Sequence, residues 1–382
     1  MVKLPPIINH CYLMVTEQCP LRCKYCYIKD RETPNEFDFK WMDKIKNMFT
    51  CYNKPRIIFF GGEPLVKLDL IKKIVEKYNN DFQFQVVTNG CVNFHQFMEE
   101  VYEPNRNKFD VQISWDGKVD TRKTFGQTST YNNVYKSIEK ELKKGRILIG
   151  RAVLNEESVK TFYETYKTYQ KLNKEYKFGG DFTIAHQLHF LDSFAIDLKE
   201  QLNLIYEDVK EQLLSEEKFY LPNILLKTIS NMLQNKTDVI SCDIGTHVVI
   251  RPNGDIYPCT ILSQKDERFK LGNINGSVDT EIINDLRYGS HCPKDCKFKS
   301  ICDGGCRYER IMHYPNSWKC NVCNHTCDIY KSIFESTDMF LQSLNTKQQD
   351  KLFKYLQDYN MFCIEYDNCV EVDNQKGIYD DE

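Results

Sequence analysis

The first half of the chain alternates short β-rich segments with segments of helical periodicity, and this alternation limits the folds that it can adopt. Helical periodicity is clear in LDLIKKIVEKY and YNNVYKSIEKELKK. The strand-like segments between residues 8 and 190 are NHCYLMVT, RIIFF, FQFQVVT, FDVQISW, RILIGRAVL and FTIAHQLHF. Strands that alternate with helices form parallel sheets with right-handed crossovers. The sequence therefore predicts an α/β fold, a partial (β/α)6 barrel of the TIM type, with its chemistry where strands end.

The second half has a different composition. Nine of the 17 cysteines lie between residues 242 and 327, among short segments rich in Gly, Asn, Pro and Asp. Two β-rich runs flank Asn253-Gly254, which predicts a β-hairpin with a type I′ turn. We expect four regions: the barrel over 1–194, bridging helices over 195–240, a small domain organised by metal over 241–335, and a C-terminal helical tail over 336–382.

Charge and hydropathy argue against several classes of protein. The formal net charge is −3, so the chain has no overall basic field that would attract nucleic acid or an anionic membrane. The N-terminus lacks a signal-peptide pattern, and no apolar run approaches the ~18 residues of a membrane span. We expect a cytoplasmic protein with no membrane partner. In that reducing compartment, clustered cysteines indicate metal binding or catalysis.

Three cysteines follow the first predicted strand in TEQCPLRCKYCY. Cys19, Cys23 and Cys26 have the spacing C-x3-C-x2-C. Three thiolates on one loop can hold three corners of a 4Fe–4S cluster and leave the fourth iron without a protein ligand. An open position is typical of a catalytic metal centre. The same thiolates could instead hold zinc with a fourth ligand from a distant segment.

This triplet, with the aromatic Tyr25 before its last cysteine, resembles that of the radical S-adenosylmethionine (SAM) superfamily. Four further segments agree with the resemblance, each at the end of a predicted strand. They are GGEP at 61–64, TNG at 88–90, ISWDG at 113–117, and GRAVL, which carries Arg151. Alone, each would be an ordinary turn or a surface charge. Their order on successive strands indicates the family.

The resemblance implies a role for each of these segments. Cys19, Cys23 and Cys26 would hold a 4Fe–4S cluster whose unique iron takes the amino and carboxylate groups of SAM. Glycines let the backbone approach a ligand closely, and a carboxylate suits an ammonium. The implied SAM contacts are Gly61, Gly62 and Glu63 to the amino group, Arg151 and Ser114 to the carboxylate, Asp116, Thr88 or Asn89 to the ribose, and the backbone near Tyr27 to the adenine. Tyr25 is implied as a further cofactor-binding residue. The implied reaction is reductive cleavage of SAM to a 5′-deoxyadenosyl radical, which removes a hydrogen atom from the substrate.

The cysteines of the second half resemble the SPASM extension of many peptide-modifying radical SAM enzymes. GDIYPC matches the G-x4-C of that pattern, CKFKSIC its x5 spacing and CDGGC its x3 spacing. One departure is that three residues instead of two separate Cys292 from Cys296. Taken alone, these cysteines could form a pair of zinc ribbons.

The SPASM resemblance implies two auxiliary 4Fe–4S clusters, and so three clusters in all. The first would use Cys242, Cys259 and Cys306, with a fourth position that is open or is closed by Cys320 or Cys323. An open iron would bind a substrate group such as a thiolate, whereas a closed cluster would only transfer electrons. The ligands implied for the second cluster are Cys292, Cys296, Cys302 and Cys327.

Three functions stay open at this point. The first is a radical SAM enzyme that modifies a peptide or protein residue. The second is a radical SAM enzyme acting on a non-peptide substrate such as a modified nucleotide or small amine. The third is a non-catalytic iron–sulfur or zinc protein for electron transfer or interaction. Either enzyme would need an external electron donor of the flavodoxin or ferredoxin type.

Several single features bear on the substrate. Thr260 stands where sulfatase-maturating relatives place an acidic residue, so we expect no formylglycine-forming activity. Cys19 is close to the start, and about 55 residues follow Cys327. We therefore expect no leader-binding domain of ~80 residues, and a peptide would need a separate recognition protein or direct barrel contacts. His186 and His189 lie on the predicted sixth strand, where their spacing lets at most one point into the barrel.

Overall fold

The structure, a computed structural model, describes residues 3–28, 31–32, 34–51, 54–186, 190–215, 219–236, 239, 242–288, 292 and 294–367, with side chains up to residue 358. The strands are β1 (His10–Thr16), β2 (Arg56–Gly61), β3 (Gln83–Thr88), β4 (Phe109–Ser114), β5 (Leu148–Leu154), β6 (Phe178–Ile184), β7 (His247–Ile250), β8 (Asp255–Tyr257) and β9 (Gly272–Asn273). Within these residues they form one sheet in the order β6-β5-β4-β3-β2-β1-β7-β8-β9. Pairs from β6 to β7 are parallel, and the last two pairs are antiparallel.

Helices connect the parallel strands and cover the sheet. The α-helices are α1 (Met42–Met48), α2 (Leu68–Tyr78), α3 (Phe94–Phe97), α4 (Tyr131–Lys143), α5 (Phe162–Glu175), α6 (Ser193–Ser215), α7 (Asn223–Leu233), α8 (Leu262–Lys265), α9 (Glu281–Tyr288), α10 (Arg307–His313), α11 (Asn324–Ser343) and α12 (Thr346–Asp367). The alternation of β1 to β6 with helices confirms the predicted partial barrel. None of the described helices is long and apolar enough to cross a membrane.

The barrel core is an apolar layer between the sheet and its helices. Helix α2 buries Ile71, Ile74 and Tyr78, which recur at helical spacing. Hydrophobic periodicity therefore predicted both ends of this helix correctly. Across the sheet, the rings of Phe59, Phe84 and Phe109 form one mutually stacked cluster, with centroids 5.6–6.1 Å apart. Burying each of these side chains contributes roughly 2–3 kcal/mol. The central strands of the sheet are therefore held together by apolar packing.

Strand β6 lies earlier in the chain than the sequence predicts. The prediction placed it over 182–190, whereas it spans Phe178–Ile184. Gly179 and Gly180 resemble a turn signal, but they stand inside the strand. A Cβ on Gly180 would lie 2.3 Å from the hydroxyl of Tyr220 and 2.5 Å from the ring of Tyr169, so close packing requires this glycine. His186 consequently lies beyond the strand, and His189 falls outside the described residues.

The predicted hairpin is confirmed, but its turn is of another type. Gly254 N–H donates to Arg251 O at 2.9 Å, and only Gly254 of the described turn has a positive φ, +82°. Pro252 suits the second position of a type I turn because its ring holds φ near −65°. The loop is therefore a type I turn followed by a glycine bulge, and the predicted type I′ turn is wrong.

The second half continues the barrel sheet. Strand β7 pairs in parallel with β1, from His10 opposite His247 to Leu13 opposite Ile250. Helix α11 packs on α6 of the bridging region and runs through the boundary predicted at residue 335. Strands β7 and β8 join the large barrel core, whereas the apolar clusters around the cysteines are small: one centres on Ile261 and Leu262, and another on Phe298 and Phe334.

Candidate active site and metal centres

The GGEP segment at the end of β2 packs against the chain that leads into the cysteine loop. A Cβ on Gly61 would lie 2.0 Å from the carbonyl oxygen of Thr16, and one on Gly62 would lie 2.2 Å from that of Glu17. Gly62 N–H donates to Thr16 O at 2.9 Å. Only glycine fits such a close approach. The two glycines therefore position the loop that carries Cys19, a role that their predicted contact with SAM did not include.

Nitrogen donors surround the thiols of this loop. The Leu21 N–H lies 3.4 Å from Cys19 Sγ, and the Asn89 side-chain amide lies 3.7 Å from the same sulfur. Arg122 Nη1 lies 3.8 Å from Cys23 Sγ. Burial raises the pKa of the Cys19 thiol to about 12. N–H donors to sulfur are typical of iron–sulfur ligands, so the chemistry of this donor set fits a cluster.

Glu63 is a buried carboxylate at the centre of the barrel mouth. It accepts hydrogen bonds from the hydroxyl of Thr88 at 2.7 Å and from the N–H groups of Asn89 at 2.7 Å and Leu65 at 3.1 Å. Burial raises the pKa of Glu63 to about 7, although these bonds oppose the rise. The predicted ribose contacts Thr88 and Asn89 are thus tied to Glu63. Their contact with a ribose stays a prediction.

Asp116 joins three segments of the barrel mouth. Its Oδ2 accepts hydrogen bonds from the hydroxyls of Tyr25 at 2.5 Å and Thr121 at 2.9 Å. The same oxygen accepts from Arg122 Nε at 3.1 Å, and Oδ1 accepts from the N–H of Val153 at 2.9 Å. Both carboxylate oxygens are therefore engaged by the protein. The carboxylate links the cysteine loop to β5, and its predicted contact with ribose remains untested.

Arg122 is a residue of this site that the sequence analysis missed. Its guanidinium contacts Asp116 and Cys23, and it lies 5.6 Å from the ring centroid of Tyr25. It sits in an irregular loop after β4, where no periodicity or motif singles out an arginine. The available signal was its position six residues after Asp116, which alone indicates nothing about Cys23.

Ser114 and Arg151, the predicted carboxylate contacts, are partners across strands β4 and β5. Arg151 Nη1 lies 3.2 Å from Asp181 Oδ2 and 3.4 Å from the carbonyl oxygen of Phe182. The arginine side chain remains one-third exposed, at 33 %. The two residues therefore lie side by side at the end of β4, where the partly exposed guanidinium of Arg151 is paired with Asp181.

Tyr27 connects the cysteine loop to the second half of the chain. Its side chain forms a hydrogen bond with Thr260 and lies beside Cys259, and burial raises its pKa. It packs against the apolar cluster around Ile261 and Leu262 and against another cluster that contains Met14 and Val249. The residue next to Cys26 thus reaches the first of the predicted auxiliary sites.

The first auxiliary group of cysteines is brought together by the fold. Cys242, Cys259 and Cys306 pack against one apolar cluster and lie close enough to influence each other's ionisation. The hairpin carries Cys259 back towards Cys242, as the sequence predicted. The ligand atoms of His186 and Glu309 lie within 4.8 Å of Cys306 Sγ and of each other. Among the described residues, these are the additional candidate ligands at Cys306.

Cys320 and Cys323, the predicted alternatives for that fourth position, lie in other surroundings. Cys320 is exposed. Cys323 is buried, with its Sγ 3.0 Å from Nδ1 of His325. The structure does not group either thiol with Cys306 in a common ligand set among the described residues.

The second auxiliary group lines one small pocket. Its cysteines are the four that the sequence predicted together: Cys292, Cys296, Cys302 and Cys327. The CDGGC segment turns sharply because Gly304 and Gly305 have φ of +96° and +79°. A Cβ on Gly304 would lie 2.8 Å from the side chain of Val322. The turn therefore sends Cys302 to this pocket and Cys306 to the other site. That these four bind a cluster stays a prediction.

The spacing of these cysteines is wider than a single zinc ion requires. Tetrahedral zinc–thiolate bonds of ~2.3 Å bring sulfurs to within ~4 Å of one another. In the part of the chain that the structure describes, two sets of three ligand atoms lie within 4.8 Å of one another, and neither is made of three cysteines. The three cysteine groups thus fit a larger inorganic cluster better than zinc.

Two family models match the chain. The radical SAM superfamily model matches residues 13–169, and the SPASM iron–sulfur cluster-binding domain matches residues 242–324, together well over half of the sequence. The chain belongs to the radical SAM superfamily. It is a radical SAM enzyme with a C-terminal SPASM domain, which confirms the family predicted from the motifs.

Relatives and solved structures extend this result. A cysteine-type anaerobic sulfatase-maturating enzyme of Clostridium novyi is 24% identical over 367 residues, covering 84% of this chain and 92% of the relative. A GTP 3′,8-cyclase of Clostridium botulinum is 30% identical over 174 residues, covering 42% of this chain and 54% of the relative. Native anSMEcpe with bound AdoMet and the Cp18Cys peptide has a TM-score of 0.70 and 19% identity, covering 92% of this chain and 99% of that one. This likeness confirms the fold.

Proposed function

We propose that this radical SAM enzyme modifies a residue of a peptide or protein, using three 4Fe–4S clusters. The observation that carries the proposal is the junction between its halves. Strand β7 extends the barrel sheet beside β1, and Tyr27 of the cysteine loop lies beside Cys259 of the SPASM region. This arrangement supports a site in which auxiliary clusters stand next to the barrel mouth.

The proposed ligands follow the three cysteine groups of the structure. One cluster is held by Cys19, Cys23 and Cys26, and its free iron takes SAM. The first auxiliary cluster is held by Cys242, Cys259 and Cys306. The second auxiliary cluster is held by the cysteines that line the pocket: Cys292, Cys296, Cys302 and Cys327.

The protein supplies orientation and electrostatics at the barrel mouth. Bound there, SAM and the reduced cluster supply a 5′-deoxyadenosyl radical. Glu63, ionised above about pH 7, offers its carboxylate to the amino group of SAM. Arg151 offers a cation to the carboxylate, and Asp116 holds the cysteine loop against β5. The hydrogen atom would be taken from a substrate above these strand ends.

A peptide substrate is favoured over a nucleotide because the peptide-modifying relative matches more of this chain than the nucleotide-modifying relative does. The similarity to the sulfatase-maturating enzyme extends through both halves, whereas that to the GTP 3′,8-cyclase covers 42% of the chain. We propose a product other than formylglycine because Thr260 cannot act as the acidic base, and its hydroxyl contacts Tyr27. An external flavodoxin- or ferredoxin-type donor and a separate peptide-recognition protein are proposed partners.

The test is anaerobic reconstitution with iron and sulfide, followed by reduction in the presence of SAM and peptide libraries. We expect 5′-deoxyadenosine to form. We also expect a peptide product whose mass differs from that of a peptide containing formylglycine. Replacing Cys19, Cys23 and Cys26 by Ala should abolish cleavage and leave about two-thirds of the iron. Cys11→Ala, which replaces a cysteine outside the three groups, is the matched control. It should change neither the SAM cleavage nor the iron content.

Three results would contradict the proposal. Absence of 5′-deoxyadenosine from the iron-replete wild type, with every substrate class, would remove the catalytic function. Metal analysis that finds zinc without iron would favour a non-catalytic zinc protein. SAM cleavage stimulated by nucleoside triphosphates and not by peptides would favour the nucleotide alternative.

A further inference from the structure

Three potential metal ligands lie close together outside the three cysteine groups. The ligand atoms of His313, Cys323 and His325 all lie within 4.8 Å of one another. Cys323 Sγ is 3.0 Å from Nδ1 and 3.4 Å from Nε2 of His325. The rings of His313 and His325 meet edge to face, with centroids 5.0 Å apart. Neither histidine has a role in the function proposed above.

The fold holds these three side chains at the junction of two helices. His313 ends α10, Cys323 is the residue before α11, and His325 lies in the first turn of α11. The fully buried Arg310 fixes the intervening loop by donating to the carbonyl oxygens of Trp318, Lys319 and Asn321 at 2.8–2.9 Å. The group is therefore positioned by the protein and not by a chance meeting of mobile side chains.

We infer that His313, Cys323 and His325 form a mononuclear binding site for a zinc-type divalent cation. One thiolate and two imidazoles make a borderline-soft ligand set, which suits Zn²⁺. Tetrahedral zinc bonds of ~2.3 Å to sulfur and ~2.0 Å to nitrogen separate the two ligand atoms by ~3.5 Å. The observed 3.0–3.4 Å between Cys323 and His325 is close to that value. Three protein ligands leave the fourth position to water or to an exogenous donor.

The position of this site suggests that a bound ion would stabilise the junction between two helices. The ring of Phe190, in the segment after β6, lies 6.2 Å from that of His325. A bound ion would join the end of α10 to the start of α11 beside this segment of the barrel mouth. It would also account for Cys323, which the predicted auxiliary clusters left without an assignment.

The inference is tested on anaerobic, iron-replete protein, so that the cluster thiolates are already occupied. After incubation with ZnCl₂ and desalting, we expect about one zinc per chain in addition to the iron. Cys323→Ser and His325→Asn should lose the zinc and keep the iron. Cys320→Ser, which changes an exposed thiol three residues away, is the matched control and should keep both. Co²⁺ in place of zinc should give the thiolate charge-transfer and tetrahedral d–d bands, which His325→Asn removes.

Several outcomes would overturn this inference. One is wild-type protein that retains no zinc and shows no cobalt–thiolate band. Another is zinc that persists in both ligand variants, or that is lost equally in Cys320→Ser. Loss of iron in Cys323→Ser would assign that thiol to a cluster instead. The cobalt spectrum of the wild type needs no variant, so misfolding of a variant would not hide the result. Zinc binding does not depend on SAM cleavage, so failure of the proposed function leaves this test intact.

Discussion

The two halves of the molecule are stabilised in different ways. The barrel has one continuous apolar core that runs from β1 through the helices α2 and α5 to α6, and it extends to Val248 and Ile256 in strands β7 and β8. The cysteine-bearing segments of the SPASM half have only small apolar clusters around them, bordered by cysteines such as Cys242, Cys259 and Cys296. Burial of apolar area is the main favourable term in folding, so a region with little of it needs another source of stability. We therefore expect the barrel and the strands that join it to fold without metal, and the cysteine-bearing segments of the SPASM half to depend on it.

The largest expected effect is therefore that of removing the metals. Chelation under anaerobic conditions should raise amide hydrogen exchange across residues 294–323 to nearly that of an unfolded chain. Exchange in β3 and β4 should stay slow, because Phe84 and Phe109 remain packed. Mass spectrometry of the exchanging peptides measures both regions in one sample. Equal loss of protection in both would refute the contrast between the halves.

The next largest effect is expected from a substitution in the apolar core of the barrel. Phe84→Ala should destabilise it by ~3–5 kcal/mol because it opens a cavity beside the rings of Phe59 and Phe109. Urea unfolding of the barrel measures this loss. The iron content per folded chain should stay unchanged. If iron fell in proportion to stability, the two halves would be one cooperative unit.

A glycine substitution should separate the cysteine loop from the rest of the barrel. In Gly62→Ala the new methyl would lie 2.2 Å from the carbonyl oxygen of Glu17, so the loop must move. We expect SAM cleavage to fall ~100-fold and the barrel to keep its circular dichroism. Gly179→Ala is the control, because its Cβ meets no atom closer than 3.8 Å. Equal activity of the two variants would contradict the packing role of Gly62.

The buried carboxylate predicts a pH effect confined to the barrel. The pKa of Glu63 rises from 4.5 to about 7 on folding, so the folded state binds its proton more tightly. This contribution to stability is present below about pH 4.5 and is lost as the pH rises through 7. Relative to Glu63→Gln, the wild type should lose about 3 kcal/mol over that interval. Unfolding curves of both proteins at several pH values measure the difference, and a constant difference would refute it.

The smallest expected effect concerns Arg122, whose guanidinium lies beside Cys23. Arg122→Gln removes a positive charge next to a proposed cluster ligand, so the midpoint potential of that cluster should become more negative. Redox titration followed by electron paramagnetic resonance measures the shift. Arg122→Lys keeps the charge and should shift less. Auxiliary clusters should keep their potentials, and a uniform shift of all clusters would contradict a local effect.

Sequence periodicity predicted the barrel well and its details less well. Strands β2 to β5 and helix α2 were located almost to the residue because apolar spacing reports burial directly. Strand β6 was displaced because Gly180 is required by contacts with Tyr169 and Tyr220, which come from distant segments. The hairpin was found from Asn253-Gly254, but Pro252 decided its turn.

The cysteines of the site were easier to predict than its other residues. The SPASM resemblance implied one ligand set of Cys292, Cys296, Cys302 and Cys327, and the structure surrounds one pocket with them. Arg122 could not be found in this way, because its contact with Cys23 spans 99 residues. The several hydrogen bonds that Asp116 accepts could not be predicted either, because motif spacing does not show how many donors surround a carboxylate.

The pairing of β1 with β7 has a consequence for engineering this enzyme. Although the two halves can be separated in sequence, cutting between them would leave the backbone of β1 unpaired from His10 to Leu13. Unpaired edges of this kind recruit strands from other chains, so a truncated barrel should aggregate. Grafting a foreign SPASM module would have to reproduce the ladder to His247–Ile250. The module is thus interchangeable only as far as its first strand can be matched.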